Sequence, residues 1–182
     1  MAVLGLLVAI PVTMIARGGD DDDGDEPSEA IDGGPALPEV GGVRSDRKLK
    51  IDLRLPEGWR RERQDGGAVA FLRKDGGVVI AISTPGPAED AAEIQREALA
   101  TIESQYRKVE TTGRTRDLEL GGRRAISATL VATHPKKKKE LRILISTAKG
   151  RKKAYLVEVV AADLNQGLVE AQAVLSGLRL KG

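Results

Sequence analysis

The sequence predicts an α+β domain: a mainly antiparallel sheet of about six or seven strands flanked by two helices as an α/β/α sandwich, preceded by an N-terminal apolar helix. Three observations predict it. β-prone runs alternate with period two, short Gly-containing turns join them as hairpins, and only two segments of the domain change to a helical period. The elements are taken in chain order.

Met1 to Ala16 (MAVLGLLVAIPVTMIA) carries no charge. A helix across a hydrocarbon core of ~30 Å needs about 20 residues, so the run reads as part of a membrane helix that starts upstream. Two alternatives stand beside this. A cleaved signal is disfavoured because no Lys or Arg precedes the run and Met14, not a small residue, would stand three positions before a cut at Ala16. A helix buried in the domain is disfavoured because Asp20–Asp23 follow at once. Arg17 alone would set the C-terminal side as cytoplasmic. An extracytoplasmic domain on a single-pass anchor therefore requires a basic residue upstream.

Residues 17–46 form an acidic linker rich in Gly, Asp, Glu, Pro and Ser, expected to be disordered because it has too little apolar surface to offset ordering entropy. Residues 1–46 hold ten acidic and two basic residues, residues 47–182 hold 17 and 27, so a net of −8 precedes a net of +10. The aspartate run lacks the spaced ligands and fixed turn of a calcium loop, and reads as a self-repelling spacer.

The domain occupies residues 47–182. Lys48–Leu55 alternates Leu49, Ile51, Leu53 and Leu55 with Lys48, Lys50, Asp52 and Arg54, a half-buried strand ended by Pro56-Glu57-Gly58. Residues 68–73 and 78–83 pair around Asp75-Gly76-Gly77. Pro85-Gly86-Pro87 is expected to break the chain. From Glu89 to Arg107, Ala91, Ile94, Ala98, Leu99, Ile102 and Tyr106 recur at three and four residues, an amphipathic helix. Arg114–Leu120 turns through Gly121-Gly122 into Arg123–Thr133. Leu141–Ala148 follows the loop His134–Glu140, and Ala154–Ala161 follows the turn Lys149–Lys153. A last helix runs from about Asn165, its expected cap, to Leu178.

Strand, turn and tryptophan in Ile51-Asp52-Leu53-Arg54-Leu55-Pro56-Glu57-Gly58-Trp59, with the following order of elements, resemble the PsbP-like superfamily, which includes DcrB-type periplasmic proteins and LpqN-type lipoproteins. The resemblance covers roughly residues 47–182. It implies an α/β/α sandwich and an exported accessory or binding role without catalytic residues, with Trp59 a core plug. The chain departs from the lipoproteins in lacking a lipidated Cys.

With no cysteine, disulfides, thiol catalysis and zinc-thiolate sites are excluded. His134 is the one histidine, read as a solvated loop residue. The Gly-Gly pairs at 66–67, 76–77 and 121–122 fit turns rather than phosphate loops. No catalytic, cofactor or metal site is expected. The candidate surfaces are basic. Arg123, Arg124, Lys149, Arg151, Lys152 and Lys153 belong to hairpin connections at one end of the sheet, and Lys136, Lys137, Lys138 and Lys139 to the far end. They read as solvated loops, as an attractor of anionic lipid, or as the contact for an acidic protein or polymer. Nucleic acid is disfavoured because only four aromatics are available for stacking. The sequence thus points to a non-enzymatic, membrane-tethered binding module. The alternative is a small-molecule carrier with a pocket between sheet and helix, which a fully packed interface beneath 89–107 would argue against.

Overall fold

A computed structural model describes residues 42–63, 68–73, 75, 77–162 and 166–182. The expected apolar helix at 1–16, the linker up to residue 41, Gly66, Gly67, Gly76 and the expected Asn165 cap lie outside the described residues.

The elements run β1 (Val43–Asp46), β2 (Ile51–Arg54), β3 (Trp59–Arg63), β4 (Val69–Arg73), β5 (Val78–Pro87), α1 (Ala91–Gln105), β6 (Arg107–Leu120), β7 (Arg123–Thr133), β8 (Glu140–Lys149), β9 (Lys153–Ala161), α2 (Gly167–Ser176) and β10 (Arg179–Leu180). Every pairing is antiparallel. A seven-stranded sheet has the order β3-β4-β5-β9-β8-β7-β6, and a separate three-stranded sheet the order β1-β2-β10.

The predicted α+β class is the observed one, with a composite outer layer. α1 covers one face of the large sheet, burying Ala91, Ile94, Ala98 and Ile102 among Leu72, Val79, Leu130, Ile143, Ile145 and Leu156. The other face is covered by α2 and the small sheet. There Leu49, Ile51, Leu53 and Leu55 join Phe71, Ile80, Val157, Val174 and Leu175 in one cluster. The Lys48–Leu55 alternation is therefore correct in its faces, but its strand belongs to the small sheet. Trp59 is only half-buried at the start of β3, packed against that cluster rather than plugging it.

The strands of the domain begin before residue 47. β1 falls in the last residues assigned to the linker and pairs Val43 with Arg54 and Asp46 with Ile51. Asp46 makes this hairpin close. Its carboxylate accepts the Lys48 and Leu49 amides at 2.9 and 3.0 Å and pairs with Arg61 on β3, tying the small sheet to the large one.

Pro85-Gly86-Pro87 does not break the chain. β5 continues through it with a register shift between Ser83 and Gly86, bonded to β9. Past Ile82 the β4 side of β5 is unpaired, so the prolines remove no ladder donor that a neighbour needs.

Candidate functional site: a basic end and a groove beside it

Three connections meet at one end of the molecule. Gly121 and Gly122 have φ of +60° and +80°, the two left-handed central positions of a type I′ hairpin turn, which launches Arg123 and Arg124. The β8–β9 turn presents Lys149, Arg151, Lys152 and Lys153. Both turns bind the Gly182 carbonyl, through Arg123 Nη2 at 3.2 Å and the Arg151 amide at 3.1 Å. The predicted cluster of six is thus brought together.

The structure adds members that no hairpin count could supply. The Leu180 amide donates to the Gly121 carbonyl and the Lys181 amide to the Lys50 carbonyl. β10 thereby draws the β1–β2 turn, with exposed Lys48 and Lys50, and exposed Arg179 and Lys181 to the same end. Lys181 is paired with Asp52. That contact and the Ser45 hydroxyl hold the Asp52 carboxyl below its usual range. No described carboxylate forms an ion pair with Lys50, Arg124, Lys149, Arg151, Lys152 or Lys153. The Ala88 amide donates to the Lys152 carbonyl at 3.2 Å, which sets the acidic start of α1 (Glu89, Asp90, Glu93) along one flank.

Lys136–Lys139 lie at the opposite end of β7 and β8, roughly 35 Å along the strands. His134 there is not solvated. It is 2% exposed, and its Nδ1 accepts the Lys136 and Lys137 amides at 3.1 and 3.0 Å. Its own amide and carbonyl bond Lys139 and Lys138. A tight turn has more amides than its backbone can satisfy, and the imidazole supplies the acceptor. The lysines are exposed because the histidine is not.

The interface beneath α1 is occupied. Besides its apolar residues it holds Gln95, whose Nε2 donates to the Ile145 carbonyl at 3.1 Å and whose Oε1 accepts the Thr147 hydroxyl at 2.5 Å. The same face contains Glu158, 3% exposed, its carboxyl pushed up to about 8 by burial. Tyr106, 5% exposed, is raised to about 12 by burial and then by Glu158. These titratable groups are enclosed in the core.

A groove of about 350 Å³ lies instead on the opposite face, where α2 leaves β6, β7 and β8 uncovered. Thr115, Ser127 and Ser146 face one another across three strands in register, forming a hydroxyl row on its floor. Ser127 and Ser146 share a hydrogen bond of 2.6 Å. Leu118, Leu120, Leu144 and Leu175 supply apolar wall, with Gln172 and Ser176 on the helix side. Glu119 is the one ionisable group of the lining. Such a lining can hold an uncharged hydrogen-bonding molecule, but it offers no pair for acid–base work. The packed interface argues against the expected carrier pocket beneath α1; the groove lies on the other face, beside α2. In sequence, Ser127 and Thr129 hide within a run that reads as ordinary strand.

Among the described residues, no group of three or more His, Asp or Glu is placed to hold a metal ion. No helix among them is long and apolar enough to cross a membrane.

No family model and no curated protein sequence matches the chain. Solved structures do. A Mog1 point mutant superposes with a TM-score of 0.53 at 8% identity, covering 76% of this chain and 95% of that one. Cyanobacterial PsbP (CyanoP) from Synechocystis sp. PCC 6803 gives 0.54 at 15%, over 82% of this chain and 98% of that one. A protein from Bacteroides thetaiotaomicron gives 0.54 at 12%, over 78% of this chain and 49% of that one. At these identities the likeness speaks for architecture alone: the chain shares the fold of cyanobacterial PsbP, as the resemblance read from residues 51–59 and the order of elements implies.

Proposed function

We propose that this chain is a membrane-tethered, extracytoplasmic accessory module without catalytic activity, and that it engages an anionic partner through its basic end. One observation carries the reading. Separate connections, far apart in sequence, deliver Lys50, Arg123, Arg124, Lys149, Arg151, Lys152 and Lys153 to one end, none of them in an ion pair with a described carboxylate. Solvated lysines scattered over a surface need no such convergence. The PsbP-like fold supports an accessory role, and the uncharged run Met1–Ala16 supports the tether.

Each Lys or Arg at an anionic surface contributes ~1 kcal/mol. The full chain in phosphatidylcholine nanodiscs should therefore bind phosphatidylserine vesicles at low salt and release them at high salt. Arg124→Glu with Lys152→Glu should weaken binding at least about tenfold. Binding unaffected by salt or by both reversals would sink the proposal.

A second reading, a small-molecule carrier, is favoured by the α2-side groove. Uncharged hydroxylated compounds should then shift the amide resonances of Ser127, Thr129 and Ser146. A library that leaves all three unmoved argues against it.

A further inference from the structure

Two arginines flank the start of α2, and only one of them is neutralised. Gly167, the first residue of the helix, sits directly on the sheet, where an added Cβ would come 2.9 Å from Ala161 Cβ. On one flank Arg73 pairs with Asp75 and with Glu170 of the first helical turn, each at 2.7 Å. On the other stands Arg142, the register partner of Ala161. Arg142 is half-buried, and its Nε is buried with no hydrogen-bond partner. No described carboxylate forms an ion pair with it, and Glu110 and Glu140 on the neighbouring positions of β6 and β8 are exposed. With Glu170 committed to Arg73, the guanidinium and the positive end of the helix dipole stand side by side. A buried donor in that field calls for an anionic acceptor.

The 350 Å³ groove ends one row short of this arginine. Its floor steps from Ser127 and Ser146 to Thr129 and Leu144, and the next row holds Val131 and Arg142, successive rows being about 7 Å apart. On the helix, Val169 precedes Gln172 by three residues, so it shares the groove flank one turn nearer Arg142, and it is 62% exposed. The serine protons of the lining are already spent. Ser127 donates to the Ile145 carbonyl at 3.2 Å, so in the 2.6 Å contact with Ser146 the latter is the donor, and Ser176 donates to the Ala173 carbonyl. What remains is lone pairs, which suit a ligand that brings its own hydroxyl protons. We propose that the groove binds a hydroxylated carboxylic acid of monosaccharide size, a sugar acid, with its carboxylate on the Nε edge of Arg142 and its hydroxyls over Thr129 and Ser127. This deepens the carrier reading and rests on the groove being a ligand site. The Arg142 fork meets a carboxylate with two parallel hydrogen bonds. An uncharged sugar leaves the buried Nε unmet, and that difference gives the selectivity. Glu119, at the far end of the lining beside Leu118 and Leu120, disfavours the reversed orientation.

The test titrates the full chain in phosphatidylcholine nanodiscs with D-glucuronate, methyl glucoside and acetate, at about 300 mM salt to screen the basic end. Glucuronate should shift the amides of Ser127, Thr129, Ser146 and Val169, and bind at least about tenfold more tightly than either of the others. Arg142→Met removes an unmet donor, so it should melt no lower than the parent while binding glucuronate no better than methyl glucoside. Arg142→Lys keeps the charge without the fork and should fall between them. Equal affinity for glucuronate and methyl glucoside, or glucuronate binding untouched by Arg142→Met, overturns the acid assignment and leaves the carrier reading standing. Acetate binding as tightly as glucuronate overturns the hydroxylated ligand. Shifts confined to Gly122, Arg151 and Lys152 assign the acid to the basic end and overturn the proposal. An Arg142→Met variant that melts several degrees lower shows the arginine to be satisfied within the fold, with the same consequence. No shift at Ser127, Thr129 and Ser146 with any of the three compounds removes the groove as a site, and both readings with it.

Discussion

Two residues show how far a side chain's surroundings redefine it. His134 stands in a polar, lysine-rich stretch, where any residue would be expected to face water. It is buried because the Lys136 and Lys137 amides require an acceptor. His134→Ala removes the acceptor that Nδ1 offers both amides, at a cost of about 1–3 kcal/mol, so a lower urea midpoint and faster amide exchange at 136–139 are expected. Glu158 sits mid-strand in KAYLVEVVA, a central strand buried on both faces. Burial raises its carboxyl from 4.5 to about 8. The folded state therefore keeps the proton through a window in which the unfolded chain has lost it. Stability is full below about pH 4.5 and declines as pH rises toward 8. Glu158→Gln should remove most of that decline, raising stability at pH 8 by about a few kcal/mol relative to the parent while changing little at pH 4. A parallel pH dependence in parent and variant would show the carboxyl to be ionised in the fold.

Elements were legible in proportion to the apolar surface they bury. β4, β5, β8 and β9 are central strands buried on both faces and read as continuous apolar runs. β3 and the first half of β6 were missed. Both are edge strands of the large sheet, and apart from Trp59 and Val109 the runs WRRER and RKVETTG are charged or polar, which helps an edge to resist pairing with another chain. Register shifts along β6 serve the same end. β10, two residues long, carries no periodicity at all, yet it fixes the basic end through Leu180 on Gly121. At Gly121 an added Cβ would come 2.6 Å from Leu180 Cγ, at a φ of +60° that side chains rarely adopt. Gly121→Ala should cost about 1–3 kcal/mol. It should also loosen β10, visible as faster amide exchange at Leu180 and Lys181 by comparison with β8.

At the scale of the whole molecule, the two faces of one sheet have been given different tasks. The α1 face is closed by small and branched apolar residues with Gln95 bonded into them. The α2 face is only partly covered, because a ten-residue helix and a three-stranded sheet are too narrow for seven strands. That shortfall creates the groove over β6–β8. Ser127→Ala should test whether its floor is preorganised. The Ser146 hydroxyl loses its partner, for about 1 kcal/mol of stability, and any carrier ligand that engages the hydroxyl row should bind several-fold more weakly. Stability lost with no change in ligand binding would assign the row to the fold alone.

Taken by itself, the sequence determined the α+β class, both helices, the four central strands, the likeness to PsbP-like proteins and the separation of the two lysine-rich ends. Each of these follows from local periodicity or from counting hairpins, quantities that neighbouring residues fix between themselves. Tertiary structure alone decided that β2 leaves the main sheet, that His134 turns inward, that the groove lies beside α2, and that β10 adds Lys50 and Lys181 to the basic end. Apart from His134, whose partners are the amides of its own turn, these depend on contacts between elements far apart in sequence. Such contacts arise from how layers of unequal width cover one another, and no local pattern encodes that fit.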